Sequence, residues 1–207
     1  MSRPIVILGI GGHAKSIVDL VSGIGYDEIY LCDFLNNSPR VNLIDNVKSY
    51  SEVISSFQKY DFAIGIGDQN LRRELLVSIT KNLPEASFPY LVHRNAYVSK
   101  SAIIGKGSII FSGSYVGPDV VLGNWCIINT NSVVEHDSKV GELCTLSLGV
   151  IIAGNVVIED DCYIGMGALV SNSITIGGRV KIYAGSFVNQ NVMAGTSVKG
   201  IPARAHI

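Results

Sequence analysis

Aliphatic side chains recur at every sixth position from Val98 to Val188: Val98, Ile104, Ile110, Val116, Leu122, Ile128, Val134, Val140, Leu146, Ile152, Ile158, Ile164, Val170, Ile176, Ile182 and Val188. A helix repeats on about 3.6 residues and a strand on about two, so neither alone generates this period. A hexapeptide solenoid does: six residues form one flat face of a three-sided prism, and eighteen complete a coil. A second column of smaller side chains lies two residues earlier, as at Ala96, Ser108, Ser114, Cys126, Ser132, Ser138, Cys144, Cys162, Ala168 and Ser186. Alternate strand residues face the same way, so both columns are expected inside. Glycines directly after the aliphatic position, such as Gly105, Gly123, Gly165 and Gly177, are expected to supply unusual corner angles. About five coils follow from the run.

Residues 1–92 lack this period. Ile5–Leu8 predicts a buried strand, and the turn from Gly9 to Ala14 leads into a helix through Val21. Strands are expected at 28–32, 62–66 and 88–92, with helices at 51–57 and 70–81; the polar segment 34–47 reads as a surface loop. Alternating strands and helices argue for a small parallel α/β sheet of about four strands. The expected division is an α/β, Rossmann-like domain at 1–92 and a β-helix domain at 93–207, without a linker.

With 207 residues and 47% hydrophobic content, the chain has the material for one or two sizeable cores. A net charge of −1 gives no general attraction to nucleic acid or anionic membrane. No apolar run reaches the length of a membrane span, so membrane insertion is not expected and the expected location is cytoplasmic. Cys126, Cys144 and Cys162 are spaced by one coil, which stacks them on an inner wall as packing thiols. Ligands strung along a ladder converge poorly on a point, so no metal site is expected.

Two places carry candidate chemistry. Gly9-x-Gly11-x-x-Ala14 follows a strand and opens a helix, and Asp33 lies 24 residues after Gly9. This fits a dinucleotide fingerprint, a backbone cradle for another nucleotide-linked phosphate, or a glycine turn with no ligand. Gly65-Ile-Gly67-Asp68 should lie at the same sheet edge. His136 sits two residues beyond inward Val134, near a solvent-facing corner, and Gly154 occupies its position one coil later, about 5 Å away. A base beside a glycine N–H is the pairing acyl transfer needs. Asp137 can hold the other imidazole nitrogen and raise its basicity. His93 reads as a cap on the first coil, His206 carries no role, and Arg72, Arg73 and Glu74 read as a solvated helix face.

The stretches Gly9-Ile-Gly-Gly-His-Ala-Lys15, Gly65-Ile-Gly-Asp68, Val134-Glu-His-Asp137, Ala153-Gly-Asn155 and Gly200-Ile-Pro-Ala-Arg204 together resemble the sialic-acid O-acyltransferase family of hexapeptide sugar acetyltransferases. The most similar branch N-acetylates UDP-4-amino-4-deoxy sugars in bacterial surface glycan synthesis. The resemblance implies a left-handed parallel β-helix, a homotrimer with shared sites, and acetyl-CoA as co-substrate. It makes His136 the general base, Asp137 its partner, and Gly154 the donor to the thioester. It implies a UDP-sugar site lined by Gly11, Gly12, His13, Lys15, Asp33 and Gly67. Acetyl-CoA would run near Met166, Ala184, Ile201, Pro202, Ala203 and Arg204. Thr145 stands where that branch commonly has a second histidine, which leaves room for a hydroxyl acceptor.

The leading expectation is therefore direct acetyl transfer to a nucleotide-linked amino sugar. O-acetylation of a sialic acid is the alternative within the family. An NAD-binding protein with a solenoid oligomerisation arm, or a non-enzymatic scaffold, are the alternatives outside it.

Overall fold

A computed structural model of the chain describes residues 3–33 and 47–206. Residues 34–46, nearly all of the expected surface loop, lie outside the described residues. The chain divides into two compact units, Met1–Arg94 and Asn95–Ile207.

In the first unit, β1 (Ile5–Leu8) is buried at all four positions and lies at the centre of a parallel sheet. It pairs with β2 (Ile29–Cys32) on one side and β4 (Asp61–Ile64) on the other, while β3 (Val47–Lys48) pairs with β2 at the edge. Burial on both faces explains the continuous apolar runs. Helix α1 (Gly12–Gly23) buries Ala14, Ile17, Leu20 and Val21, a single stripe of its surface. Helix α2 (Tyr50–Ser55) starts at a reciprocal cap between Ser49 and Glu52, and α3 (Gln69–Asn82) follows β4.

The sheet has the expected four strands, but its edge strand is different. Val47–Lys48 supplies the fourth strand, beside β2; of the expected strand at 88–92 only Leu91–Val92 forms, and it is not part of this sheet. Ser87 makes one bridge to Asp61 and donates its hydroxyl to the Asp61 carboxylate at 2.6 Å. Pro89 lacks the N–H that a continuing ladder needs, which accounts for the break.

The second unit is a left-handed parallel β-helix of hexapeptide repeats. Two-residue strands pair in parallel with the strand one coil on, as Val133↔Ile151 and Ile151↔Leu169 do. The first face stacks six strands from Tyr97–Val98 to Phe187–Val188, one more than the expected number of coils. The second face runs from Ile103–Ile104 to Thr175–Ile176. The third runs from Ile109–Ile110 to Lys181–Ile182 and then receives the closing hairpin of Ser197–Gly200 and Ala203–Ala205. The inward aliphatic column is buried from Ile110 through Val188.

Serine and cysteine share the second column for a physical reason. Ser138 donates its hydroxyl to the Ala153 carbonyl at 3.0 Å and accepts from the Val156 N–H at 3.1 Å. Cys126, Cys144 and Cys162 point their thiols at the carbonyls of Gly141, Glu159 and Gly177 in the same way. All three thiols are buried. They are packing groups and also ties to the next coil.

The corner glycines have a different reason from the one expected. The left-handed backbone sits three residues after the aliphatic, at Asp119, Asn131, Asp137 and Asn155. The glycine directly after the aliphatic is needed for close stacking: a Cβ on Gly123 would lie 2.7 Å from the Glu142 nitrogen one coil on.

Candidate active site

The carboxyl ends of β1, β2 and β4 open onto a cavity of about 180 Å³ lined by Gly9, Ile10, Gly11, Gly12, His13, Asp33, Gly65, Ile66, Gly67 and Leu71. This is the crevice where open parallel sheets bind ligands. The glycines here are of two kinds. Gly9 has φ +134° and a Cβ on it would meet the Gly65 oxygen at 2.8 Å, while a Cβ on Gly65 would strike Ile7 and Ala14. Those two let the turns and helix α1 close together. Gly11 and Gly12 are different, because an added Cβ would meet nothing within 4 Å. What their bareness leaves open is the cavity.

The two helices that begin at this edge are also treated differently. α3 is capped by its own chain, with the Asp68 carboxylate accepting from the N–H groups of Asn70 and Leu71. α1 begins at Gly11 without a side-chain cap. Its first N–H groups and positive dipole end are suited to an anion such as phosphate.

His13, half-buried, lines this cavity, and its pKa falls to about 4, first through burial and then through the charge of Arg72. It is therefore a neutral imidazole at physiological pH. Arg72 corrects the sequence reading: it is 2% exposed rather than part of a solvated face. Helical spacing gives the reason, since Arg72 lies on the buried stripe with Leu75, Leu76 and Ile79. Arg73 and Glu74 remain off that stripe. Asp33 and Gly67 line the cavity with His13; Lys15 is exposed on α1 and is not among the lining residues.

In the solenoid, His136 and Asp137 occupy the corner between the first and second faces. Asp137 takes the left-handed corner conformation, φ 60°, which folds its carboxylate back toward its neighbour. His136 Nδ1 lies 2.8 Å from Asp137 Oδ2, and both side chains are 60% exposed. With Nδ1–H donating to the carboxylate, Nε2 carries the lone pair. The hydrogen bond to the Asp137 carboxylate holds the imidazole pKa above its ordinary value.

Gly154 lies one coil on. A Cβ there would fall 2.6 Å from His136 Nε2 and 2.7 Å from Cε1, so the imidazole rests in the space that a side chain would fill. The Asn155 N–H donates to the His136 carbonyl at 2.9 Å, which fixes the two coils in register. Among the described residues, the Gly154 N–H donates to no protein acceptor.

The remaining expected residues lie elsewhere on the prism. Met166, 55% exposed, and Ala184 stack one coil apart at the corner between the third and first faces. Ile201 is 78% exposed at the turn of the closing hairpin, Pro202 and Arg204 are also exposed, and Ala203 is buried. Thr145 is buried on the third face between Ile127 and Tyr163. His93 is half-buried ahead of the first coil, and the His206 ring meets Lys199 and the edge of Tyr183. Among the described residues, no group of three or more His, Cys, Asp or Glu is placed to hold a metal ion, and no helix is long and apolar enough to cross a membrane.

Residues 4–79 match the PglD N-terminal domain family, and residues 101–136 match the bacterial transferase hexapeptide family. Solved structures match over nearly the full length. The acetyltransferase domain of PglB from Neisseria gonorrhoeae FA1090, in complex with acetyl coenzyme A, is 29% identical with a TM-score of 0.90, covering 100% of both chains. PerB from Caulobacter crescentus, in complex with CoA and GDP-perosamine, is 27% identical with a TM-score of 0.87, covering 99% of this chain and 97% of that one. WeeI from Acinetobacter baumannii AYE, at 24% identity and a TM-score of 0.68 over 99% of this chain and 100% of that one, shares the fold. These two family matches and the full-length structural matches agree with the hexapeptide-repeat sugar acetyltransferases, the family that the motifs resemble.

Proposed function

We propose that this chain transfers an acetyl group from acetyl-CoA to the amine of a nucleotide-linked amino sugar, with His136 as general base. The observation that carries the mechanism is the His136–Asp137 pair resting against the bare Gly154. The similar structures support the substrates, since they hold acetyl-CoA, or CoA with GDP-perosamine.

In the first step the acceptor nitrogen attacks the thioester carbonyl while His136 Nε2 takes a proton from it. The N–C bond forms and the carbonyl oxygen becomes an oxyanion, toward which the Gly154 N–H is the donor. Collapse then breaks the C–S bond, and the imidazolium returns the proton to the departing sulfur. Asp137 holds the tautomer and stabilises the imidazolium throughout. No covalent enzyme intermediate is required.

The α/β unit serves as the nucleotide-sugar domain, through Gly11, Gly12, His13, Asp33 and Gly67, with Lys15 outside the cavity lining. The solenoid serves as the acetyltransferase domain, with Thr145, Met166, Ala184 and the 201–204 turn along the CoA track. The motif resemblance favours a UDP-4-amino-4-deoxy sugar in surface glycan synthesis. A homotrimer is favoured by the first face, whose outward positions are all apolar: Tyr97, Tyr115, Val133, Ile151, Leu169 and Phe187. The second and third faces carry Lys139, Thr175, Thr145 and Lys181 at the same positions. A supply of acetyl-CoA sets the reaction in the cytoplasm.

The test is thiol release from acetyl-CoA, with mass analysis of the product, across UDP-, GDP- and dTDP-linked 4-amino sugars and free or CMP-activated sialic acids. Acetylation of one amino sugar at nitrogen is expected. Acetylation of a sialic acid hydroxyl alone, or of no acceptor, overturns the reading.

A further inference from the structure

A buried arginine next to a neutral histidine is an unusual foundation for a ligand cavity. Arg72 is 2% exposed on α3, and its Nη1 donates to the Gly67 carbonyl at 3.4 Å. Gly67 in turn lies against His13: a Cβ on Gly67 would be 3.5 Å from the His13 Cβ. Arg72 is not among the residues lining the cavity, whereas Gly67 and His13 both are. The guanidinium cannot lose its proton, so its charge is permanent.

We propose that Arg72 is a positioning residue for the acceptor: it holds the Gly65–Gly67 turn against His13 and sets a fixed positive charge behind that ring, at the wall where the diphosphate of a nucleotide sugar would lie. The proposal rests on the nucleotide-sugar reading of the cavity. A protonated imidazole would tie acceptor affinity to pH across the range where histidine titrates; a neutral one with an unchanging charge behind it does not. Among the described residues, the ionisable groups beside this turn include Asp33, at the end of β2 on the same cavity, and Asp68, whose carboxylate is engaged in capping α3. Burial and the Arg72 charge both hold the His13 pKa down.

The experiment uses the full chain with Arg72→Met, Arg72→Lys, His13→Asn and the double variant His13→Asn/Arg72→Met. Histidine ring titration by NMR without ligand reads the charge directly. The His13 ring should stay neutral down to about pH 5 in the wild type and in Arg72→Lys, and begin to protonate at higher pH in Arg72→Met. Steady-state kinetics with the accepted nucleotide sugar reads the positioning. Arg72→Met should raise KM for the nucleotide sugar about tenfold, with kcat and KM for acetyl-CoA little changed, and Arg72→Lys should restore most of the loss. In the His13→Asn background the added Arg72→Met change should cost clearly less. An unmoved His13 titration, or additive effects of the two substitutions, overturns the proposal. If Arg72→Met does not fold, the comparison of Arg72→Lys with His13→Asn decides: a KM for Arg72→Lys as high as for His13→Asn counts against it. Failure of the nucleotide-sugar reading is distinct, showing as a wild type that binds no UDP-, GDP- or dTDP-sugar while the ring titration still shifts.

Discussion

The stacking glycines of the solenoid and the cavity glycines Gly11 and Gly12 of the α/β unit are bare for opposite reasons. In the solenoid, Gly105, Gly123, Gly165 and Gly177 are bare because the next coil occupies the space where a Cβ would go. In the α/β unit, Gly11 and Gly12 are bare with nothing in the chain pressing on them. A glycine forced by packing reports on fold, whereas Gly11 and Gly12, which neither packing nor a positive φ requires, line the cavity. Gly154 stands between the two, since its missing Cβ is replaced by the imidazole of His136.

The largest effect expected is at that intermediate position. Adding a methyl with Gly154→Ala displaces the His136 ring, and kcat should fall by about 10²–10⁴, as for loss of a general base. The fold should persist, as circular dichroism and an unchanged size-exclusion elution will show. Unchanged kcat would separate Gly154 from the chemistry.

The matched pair Gly123→Ala and Gly12→Ala sharpens the comparison. The first drives a Cβ into the backbone at Gly141 and Glu142 and should cost about 1–3 kcal/mol of stability. The second should leave the thermal midpoint close to wild type and raise KM for the nucleotide sugar. Equal loss of stability in both would break the distinction drawn here.

Legibility in the sequence followed the same divide. The six-residue period located each inward column, because in a solenoid every residue is answered by another eighteen positions away. The same eighteen-residue register places Gly154 beside His136. The corner angles were assigned two residues too early, since a glycine used for stacking and one used for a turn look identical in a sequence. In the α/β unit the aperiodic pieces were harder. Arg72 shares the stripe of Leu75 and Ile79, but a charged residue beside Arg73 and Glu74 reads as solvated until its burial is seen. The edge strand Val47–Lys48 is two residues long, too short for any alternation to show.

A smaller effect concerns pH. His136 has its pKa raised by Asp137, and a general base works only when neutral. The acid limb of the kcat/KM profile should therefore lie above the ordinary histidine value of about 6.5. Asp137→Asn keeps a residue tolerant of the left-handed corner but removes the carboxylate, so the limb should move to lower pH with reduced kcat. A limb that stays in place would detach Asp137 from the base.

The smallest effect tests the second column. Ser138→Ala strands the Ala153 carbonyl and the Val156 N–H and should cost about 1–2 kcal/mol. Ser138→Cys should cost less, because Cys126, Cys144 and Cys162 already make the same tie.

The most direct measurement is acceptor-dependent thiol release from acetyl-CoA by the wild type and by His136→Ala, with circular dichroism confirming that both are folded. Release by the wild type that falls by about 10²–10⁴ in the variant is the predicted result. Release by a folded His136→Ala protein at the wild-type rate would contradict the assignment of the base and, with it, the role given to Gly154.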